Sequence, residues 1–276
     1  MDALLDHEAT VRFYLLVGGF GLFAVLESLY PRHLPVPAAG RRWGVSIGLT
    51  VLMSVVVAAA FPVLSVGCAV LAERHGWGLL HRIALPGWIE FAVALLLLDL
   101  VRYLQHAMLH RVPLLWRLHR VHHSDPDYDC TTALRFHPVE ALVSVGLQLA
   151  VVAALGASPM SVLASETLAI VVSMFAHANL RLRPAVDAML RHVIVTPDMH
   201  RIHHSALADE VDSNFGGVFP WWDWLFGTYQ AQPARGYERM TIGVADIEPG
   251  QAASLPWLLA SPFMPAKAPA APASGD

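Results

Sequence analysis

Long apolar runs separated by short arginine- and histidine-bearing segments set the pattern of the chain. A bilayer core about 30 Å thick is crossed by about 20 mostly apolar residues in a helix. Val11 to Tyr30 meets that requirement and is closed by Pro31. Gly44 to Leu71 is a second run, long enough to tilt, with Pro62 placed to kink it. The third, Pro86 to Leu104, is apolar until Asp99 near its end. Val139 to Leu155 and Pro159 to Ala176 follow, separated only by Gly156, Ala157 and Ser158. This last pair reads as two closely packed short spans or a re-entrant hairpin. The pattern predicts an all-α, multi-span transmembrane helical protein with a cytoplasmic helical cap. Transmembrane helices fill residues 1–98, a histidine-bearing unit 99–230, and a tail 231–276. From about Pro256 the tail is rich in Pro and Ala and is expected to be disordered.

Composition supports the membrane reading. Of 276 residues, 55% are hydrophobic and 14% charged, against roughly 25% charged in an average soluble domain. Mean hydropathy is +0.49. The formal charge of −4 lacks the basic footprint of a nucleic-acid-binding protein, so no nucleic acid is expected as a partner. Cys68 and Cys130 form neither a metal-binding pair nor a disulfide framework. Asp2, His7 and Glu8 stand where a signal peptide would be basic, so the first apolar run is expected to stay as an anchor. Arginines cluster at 32–42, 102–135 and 181–201, while the 72–85 loop holds Arg74 and Arg82. The positive-inside rule then puts the histidine-rich segments on the cytoplasmic face.

The chain holds 15 histidines, and most fall in a few tight groups. His106 and His110 are spaced i, i+4; His119, His122 and His123 follow at i, i+3, i+4; His200, His203 and His204 repeat that spacing. Residues three and four apart share a helix face, with about 5–6 Å between Cβ atoms. The strings H-R-V-H-H-S at 119–124 and H-R-I-H-H-S at 200–205 differ only by Val for Ile. Clustered imidazolium ions would repel, so such groups make sense as neutral rings bound to cations. Two near-identical sets suggest a pseudo-symmetric site for two metal ions. His177, in F-A-H-A-N-L, is a further ligand candidate, and His137 and His192 are weaker ones. His7, His33, His75 and His81 are expected to be unrelated to the site. An all-imidazole set suits Fe, Zn, Cu or Ni.

Together these motifs resemble the fatty acid hydroxylase/sterol desaturase superfamily of integral-membrane di-iron oxygenases. The resemblance covers roughly Asp99 to Tyr229. It includes H-x-x-x-H at His106/His110, H-x-x-H-H at His119/His122/His123 and R-F-H-P-V-E at 135–140. It continues through H-A-N-L at 177–180, T-P-D-M-H-R-I-H-H-S at 196–205, N-F-G at 214–216 and W-D-W-L-F-G-T-Y at 222–229. The resemblance implies metal ligation by His106, His110, His119, His122, His123, His177, His200, His203 and His204. Some relatives carry a second histidine a turn after His177, where this chain has Asn179, Leu180 and Arg181; His137 or His192 would have to supply a tenth ligand.

Asp99, Tyr103, His106 and His110 form one helical stripe, so Asp99 or Tyr103 is expected to orient a ligand ring, and Asp125 and Asp198 to act likewise. Trp221, Trp222 and Trp224 are expected to anchor their segment at the lipid interface, with Asp223 hydrogen-bonded inside.

The resemblance further implies two iron ions, O2 as co-substrate, and hydroxylation or desaturation of a C–H bond in a fatty acyl, sterol-like or other terpenoid membrane lipid. No Gly-rich dinucleotide fingerprint, Cys-rich iron–sulfur motif or H-P-G-G haem motif occurs in the sequence, so a separate ferredoxin, cytochrome or flavin reductase is expected to deliver electrons. Lys267 is the only lysine, a composition that looks bacterial and would place the protein in an inner membrane. The rival reading is a membrane metal-binding or transport protein without oxygenase activity. That reading would need ligands inside several spans rather than beyond their ends.

Overall fold

The computed structural model describes residues 7–34 and 39–264. Helices α1 (Glu8–Leu29), α2 (Ala39–Ala60), α3 (Ser65–His75), α4 (Gly87–Arg111), α6 (Pro138–Leu155) and α7 (Pro159–His177) form the apolar body. Shorter helices α5 (Pro113–His123), α8 (Pro184–Leu190), α9 (Pro197–His203), α10 (Ala208–Val211) and α11 (Trp221–Phe226) build a cap at one end of it. Helices α12 (Pro249–Ala252) and α13 (Leu255–Ala260) complete the described chain. The described residues form no β-strand beyond two isolated bridges.

Four stretches are long and apolar enough to cross a membrane: Thr10–Leu29, Gly40–Arg82, Pro138–Leu155 and Pro159–His177. The protein is an integral membrane protein. Pro62 does more than kink the second run, which stops at Ala60 and resumes at Ser65 as a separate helix, because proline lacks the N–H that would continue the ladder. Helix α4, read from the sequence as the third span, is not among these four stretches; Glu90, Asp99 and Arg102 interrupt it. It packs instead among α5, α6 and α7, and Asp99 is buried. Helices α6 and α7 are each long and apolar enough to span by themselves, and α3 packs against both.

Helix starts follow local chemistry. Pro113, Pro138, Pro159 and Pro197 occupy the first helical turn, where a missing N–H costs nothing. Ser158 and Thr196 accept from Ser161 N and Met199 N as N-caps. At the end far from the cap, Gly78 and Gly156 both have positive φ, and a Cβ on Gly78 would lie 2.2 Å from Gly156 N. Only glycine admits that crossing. There Glu90 accepts from Ser158 N and Oγ at 3.1 Å each, tying the start of α4 to that of α7. Helices α1 and α7 run in the same direction, joined by Arg12–Glu166 at 2.6 Å and by a bridge between Pro31 and Leu180. The histidine-bearing ends of α4 and α7 therefore emerge on the same side.

The tail differs from expectation. Leu255–Ala260 is helical, and Leu258 is buried with Val45, Leu49 and Val121, because its leucines fill a gap between α2 and α5. Residues 265–276 lie outside the described residues.

Candidate metal centre

All nine histidines singled out in the sequence converge beneath the cap, in two groups. His106, His110, His119, His123 and His203 form one; His122, His177, His200 and His204 form the other, with ligand atoms within 4.8 Å of one another in each. The two H-x-x-H-H boxes do not each make one group. His119 and His123 enter the first group and His122 the second, whereas His200 and His204 enter the second and His203 the first. Successive helical residues are about 100° apart, so adjacent rings diverge while rings at i and i+4 stay together. Each box thus straddles both groups, and the boxes exchange roles. His123 and His204 stack at 4.3 Å where the groups meet.

Four of the five rings of the first group have an outer nitrogen tied down, His123 being the exception. His106 and His203 donate from Nδ1 to Phe215 O and Ser213 O, both at 2.8 Å. His119 Nδ1 donates to Glu140 Oε1 at 2.8 Å, and His110 Nδ1 faces Asp212 at 3.3 Å. Since carbonyls only accept, the proton sits on Nδ1 and the Nε2 lone pair faces inward. Those inward Nε2 atoms of His106, His110, His119 and His203 are buried with no hydrogen-bond partner among the described residues. In the second group, His177 donates from Nδ1 to Ser173 O at 2.7 Å. Its Nε2 then meets His122 Nε2 at 3.2 Å and His200 Nε2 at 3.1 Å.

An orphaned buried polar atom costs roughly 1–3 kcal/mol, so this many inward lone pairs fit a cation and little else. Burial, then neighbouring histidines, push His122, His123, His200, His203 and His204 well below the ordinary imidazole range, which leaves them neutral, the form that binds metal. The donor set is nitrogen-only and splits into two sets of ligand-like size.

The sequence motifs around the histidines now have physical roles. In R-F-H-P-V-E, Arg135 donates to Val121 O, Ser124 Oγ and Ala252 O, closing the end of α5. Phe136 stacks on His122 at 4.5 Å. His137 accepts from Val139 N as the cap of α6 and contacts Leu259 O, so it joins neither group. Glu140, a carboxylate in the first turn of an apolar span, holds His119; that placement was the available signal, and sequence reasoning assigned it no role. In N-F-G, Asn214 has φ of 51°, a left-handed conformation asparagine tolerates. Phe215 supplies the carbonyl for His106, and a Cβ on Gly216 would lie 2.8 Å from Asp223 Oδ2.

Several expected roles are corrected. Asp99 does not touch a ligand ring; it accepts from Phe219 N at 3.2 Å and Trp222 Nε1 at 2.9 Å. Tyr103 bonds Thr228 Oγ1 at 2.8 Å and stacks on Phe226. Both brace the 213–228 segment, which in turn carries the carbonyls that hold His106 and His203. Asp125 is held by Arg42 at 2.6 and 2.8 Å and by Thr132, and Asp198 faces Arg32 at 3.5 Å. Each aspartate has a cation nearer than any imidazole. Trp222 points inward to Asp99, unlike the more exposed Trp221 and Trp224. Asp223 is buried and accepts from Phe215 N, Gly216 N and Thr228 Oγ1. His192 packs on Trp224 and, like His7, His33, His75 and His81, belongs to neither group. Asn179, in the 179–181 stretch after His177, bonds the His33 backbone and Arg201.

A cavity of about 420 Å³ opens beside the histidines. His106, His119, His122, His177 and His200 line one end, and Met53, Val145 and Ala169 line the part between the apolar helices. A group carried in that cavity would therefore reach both histidine sets from the membrane side.

Residues 91–228 match the fatty acid hydroxylase family. The chain belongs to that family. Over 253 residues, 89% of this chain and 52% of the relative, it is 28% identical to alkylglycerol monooxygenase of Xenopus tropicalis. It is 34% identical to the Caenorhabditis elegans alkylglycerol monooxygenase over 49% of this chain and 26% of that protein. To the ornithine lipid hydroxylase OlsE of Rhizobium tropici it is 28% identical over 54% of this chain and 44% of that protein. The chain spans about half the length or less of these curated relatives. No solved structure matches it.

Proposed function

We propose that this protein is a membrane-bound non-haem di-iron lipid oxygenase that uses O2 to hydroxylate a C–H bond of a membrane lipid. The observation that carries the proposal is the buried double set of inward histidine nitrogens at the end of an apolar cavity. The names of the relatives, a monooxygenase and a hydroxylase of lipids, favour hydroxylation over desaturation. His106, His110, His119, His123 and His203 would hold one iron, and His122, His177, His200 and His204 the other. When bound, the two irons supply O2 activation. The protein's own part is to fix ring tautomers, exclude water and present the lipid. Glu140, Ser213 O and Phe215 O fix the rings; the cap seals the histidines from solvent; the cavity presents a chain segment to them. Electrons would come from a separate ferredoxin, cytochrome or flavin reductase. In this reading the protein sits in a bacterial inner membrane with the histidine site facing the cytoplasm.

Anaerobic purification with iron analysis, paired with mass spectrometry of cellular lipids, tests the proposal. The expected results are about two irons per chain and a lipid product 16 mass units heavier, both disturbed by His122→Ala. Iron-free protein and a lipid profile indifferent to His122→Ala would defeat it.

A further inference from the structure

The cavity wall beside the histidines is not uniformly apolar. Arg102, Gln105, Ser144, Gln148 and Glu166 face it from α4, α6 and α7. Charged and polar groups at such depth are expensive without a partner or a function. Glu166 has partners, an ion pair with Arg12 at 2.6 Å and the amide of Gln148 at 3.2 Å. Arg102 is different. Among the described residues its guanidinium makes a single hydrogen bond, from NH1 to the neutral Ser165 Oγ at 2.7 Å, and no carboxylate lies within ion-pair distance. Of the acids whose charge reaches it, Glu166 is paired with Arg12, and Asp99 accepts from Phe219 N and Trp222 through Oδ2 while its buried Oδ1 has no hydrogen-bond partner and lies beyond ion-pair distance of the guanidinium. Most of its N–H donors remain available, and none is sealed in protein without a partner; they open on the cavity. Beside it, one helical turn on, Gln105 bonds Ser144 at 2.5 Å across the same wall.

We propose that Arg102, flanked by Gln105 and Ser144, binds a hydrogen-bond-accepting oxygen of the lipid substrate. This inference rests on the lipid-oxygenase reading and narrows its substrate class. Arg102 and His106 are spaced i, i+4, so their Cβ atoms lie about 5–6 Å apart on one face. Both side chains line the one cavity, so an oxygen held by the guanidinium sets which part of the lipid is presented to the histidines. The substrate is then a lipid that carries an ether, ester, hydroxyl or carboxyl group, and a plain hydrocarbon is a poor one. Arg102 acts here as a specificity residue, outside the histidine sets.

Binding can be measured without turnover. Purified full-length protein in nanodiscs is equilibrated anaerobically with deuterated 1-O-hexadecylglycerol, palmitate or hexadecane, and retention over empty nanodiscs is read by mass spectrometry. The expected result is about tenfold preference for the oxygen-bearing probes over hexadecane. Arg102→Met should erase that preference with iron content unchanged, and Arg102→Lys should restore part of it. Whichever of palmitate and hexadecylglycerol is retained better identifies the oxygen as anionic or neutral. Equal retention of hexadecane by the wild type, or full preference in Arg102→Met, overturns the proposal. Where Arg102→Met does not fold, Arg102→Lys and Gln105→Leu decide: both should weaken the preference, and unchanged preference in both overturns it. Oxygen-dependent product formation is scored separately. Preference without product leaves the binding site standing and removes the oxygenase reading; product without any dependence on Arg102 does the reverse.

Discussion

The two histidine groups are built by the same repeated box yet supported in different ways. In the first, four rings of five have an outer nitrogen facing a carbonyl or carboxylate: Phe215 O, Ser213 O, Glu140 and Asp212. In the second, His177 alone is tied in that way, while Nδ1 of His122, His200 and His204 has no partner among the described residues. Aromatic packing replaces the hydrogen bonds there. Phe136 lies flat on His122, and Tyr128 packs on His177 at 5.7 Å and His204 at 5.1 Å. Outer hydrogen bonds fix both orientation and basicity of a ligand ring; stacking fixes orientation alone. The first group should therefore hold its iron more tightly, and the second should be the more adaptable.

Removing a ligand gives the largest effect and the sharpest contrast. His203→Ala and His200→Ala each should lower product formation at least ~100-fold, because the proposed reaction needs both metal ions. They should differ in residual iron. His200→Ala should keep the tightly held first-group ion, with about one ion per chain by elemental analysis, whereas His203→Ala leaves only the more loosely held second-group ion and should retain clearly less than one. Equal residual iron in the two variants would break the comparison.

Next in size is the ion cluster beneath Tyr128. Asp125 and Asp129 hold Arg42 at the start of α2, and Tyr128 stands between them in sequence. Burial raises the carboxyl of Asp125, but the Arg42 hydrogen bonds and charge and the nearby Arg135 more than reverse this, holding it below its ordinary value. Asp125→Asn removes the nearest of three carboxylates around the buried Arg42 and leaves Asp127 at 3.2 Å and Asp129 at 3.1 Å, a loss of about 1–3 kcal/mol. Thermal unfolding in detergent should show it, and loss of second-group iron should accompany it. A melting temperature like the wild type's would remove the cluster from this role.

The fold was legible to the extent that bilayer length and helical spacing govern it. Eight of the nine histidines could be read because ligand spacing is local, within one or two turns of α4, α5 and α9, whereas His177, alone on α7, was read from its F-A-H-A-N-L setting. How each box divides between groups was not legible, since it depends on two helices meeting with a particular rotation. Asp99 illustrates the same limit: a buried acid on the histidine stripe looks like a ring partner until a distant indole, Trp222, is seen to take its oxygen. Glu140 escaped assignment because its partner His119 sits on another helix. The folded tail at Leu255–Ala260 was hidden by low-complexity composition, which does not register three leucines with a groove waiting for them.

Asp223 offers a pH test of the first group's support. Burial pushes its carboxyl up from 3.8 to about 6, against the hydrogen bonds from Thr228, Gly216 and Phe215 that favour the charged form. A raised carboxyl stabilises the fold fully below its unfolded value near 3.8, and that contribution fades as pH rises through about 6. At about 1.36 kcal/mol per pH unit, the change is a few kcal/mol at most. Wild-type stability should therefore fall between about pH 4 and pH 6 by more than that of Asp223→Asn. Parallel curves for the two proteins would show that Asp223 remains charged. In the same group, Glu140→Ala should weaken iron binding about 10–100-fold in a chelator competition, with the second group's iron unaffected. Loss spread evenly over both irons would mean that Glu140 supports the cap as a whole.

Phe136→Ala probes the second group and should have the smallest effect. The ring lies 4.5 Å from His122 at an interplanar angle of 7°, and an aromatic pair contributes about 0.5–1.5 kcal/mol beyond its buried area. His122 has no outer hydrogen bond to take over when the stack is lost. Its ring should then sample more orientations, and iron in the second group should exchange up to ~10-fold faster while the first group's exchange rate stays put. Phe136 also lines the cavity, so substrate retention must be measured alongside. If retention falls and iron exchange does not, the phenyl ring serves the lipid and the second group owes its geometry to Tyr128 instead. If the exchange rate rises in the first group as well, the stacked pair of His123 and His204 couples the two sets, and their different supports do not make them independent.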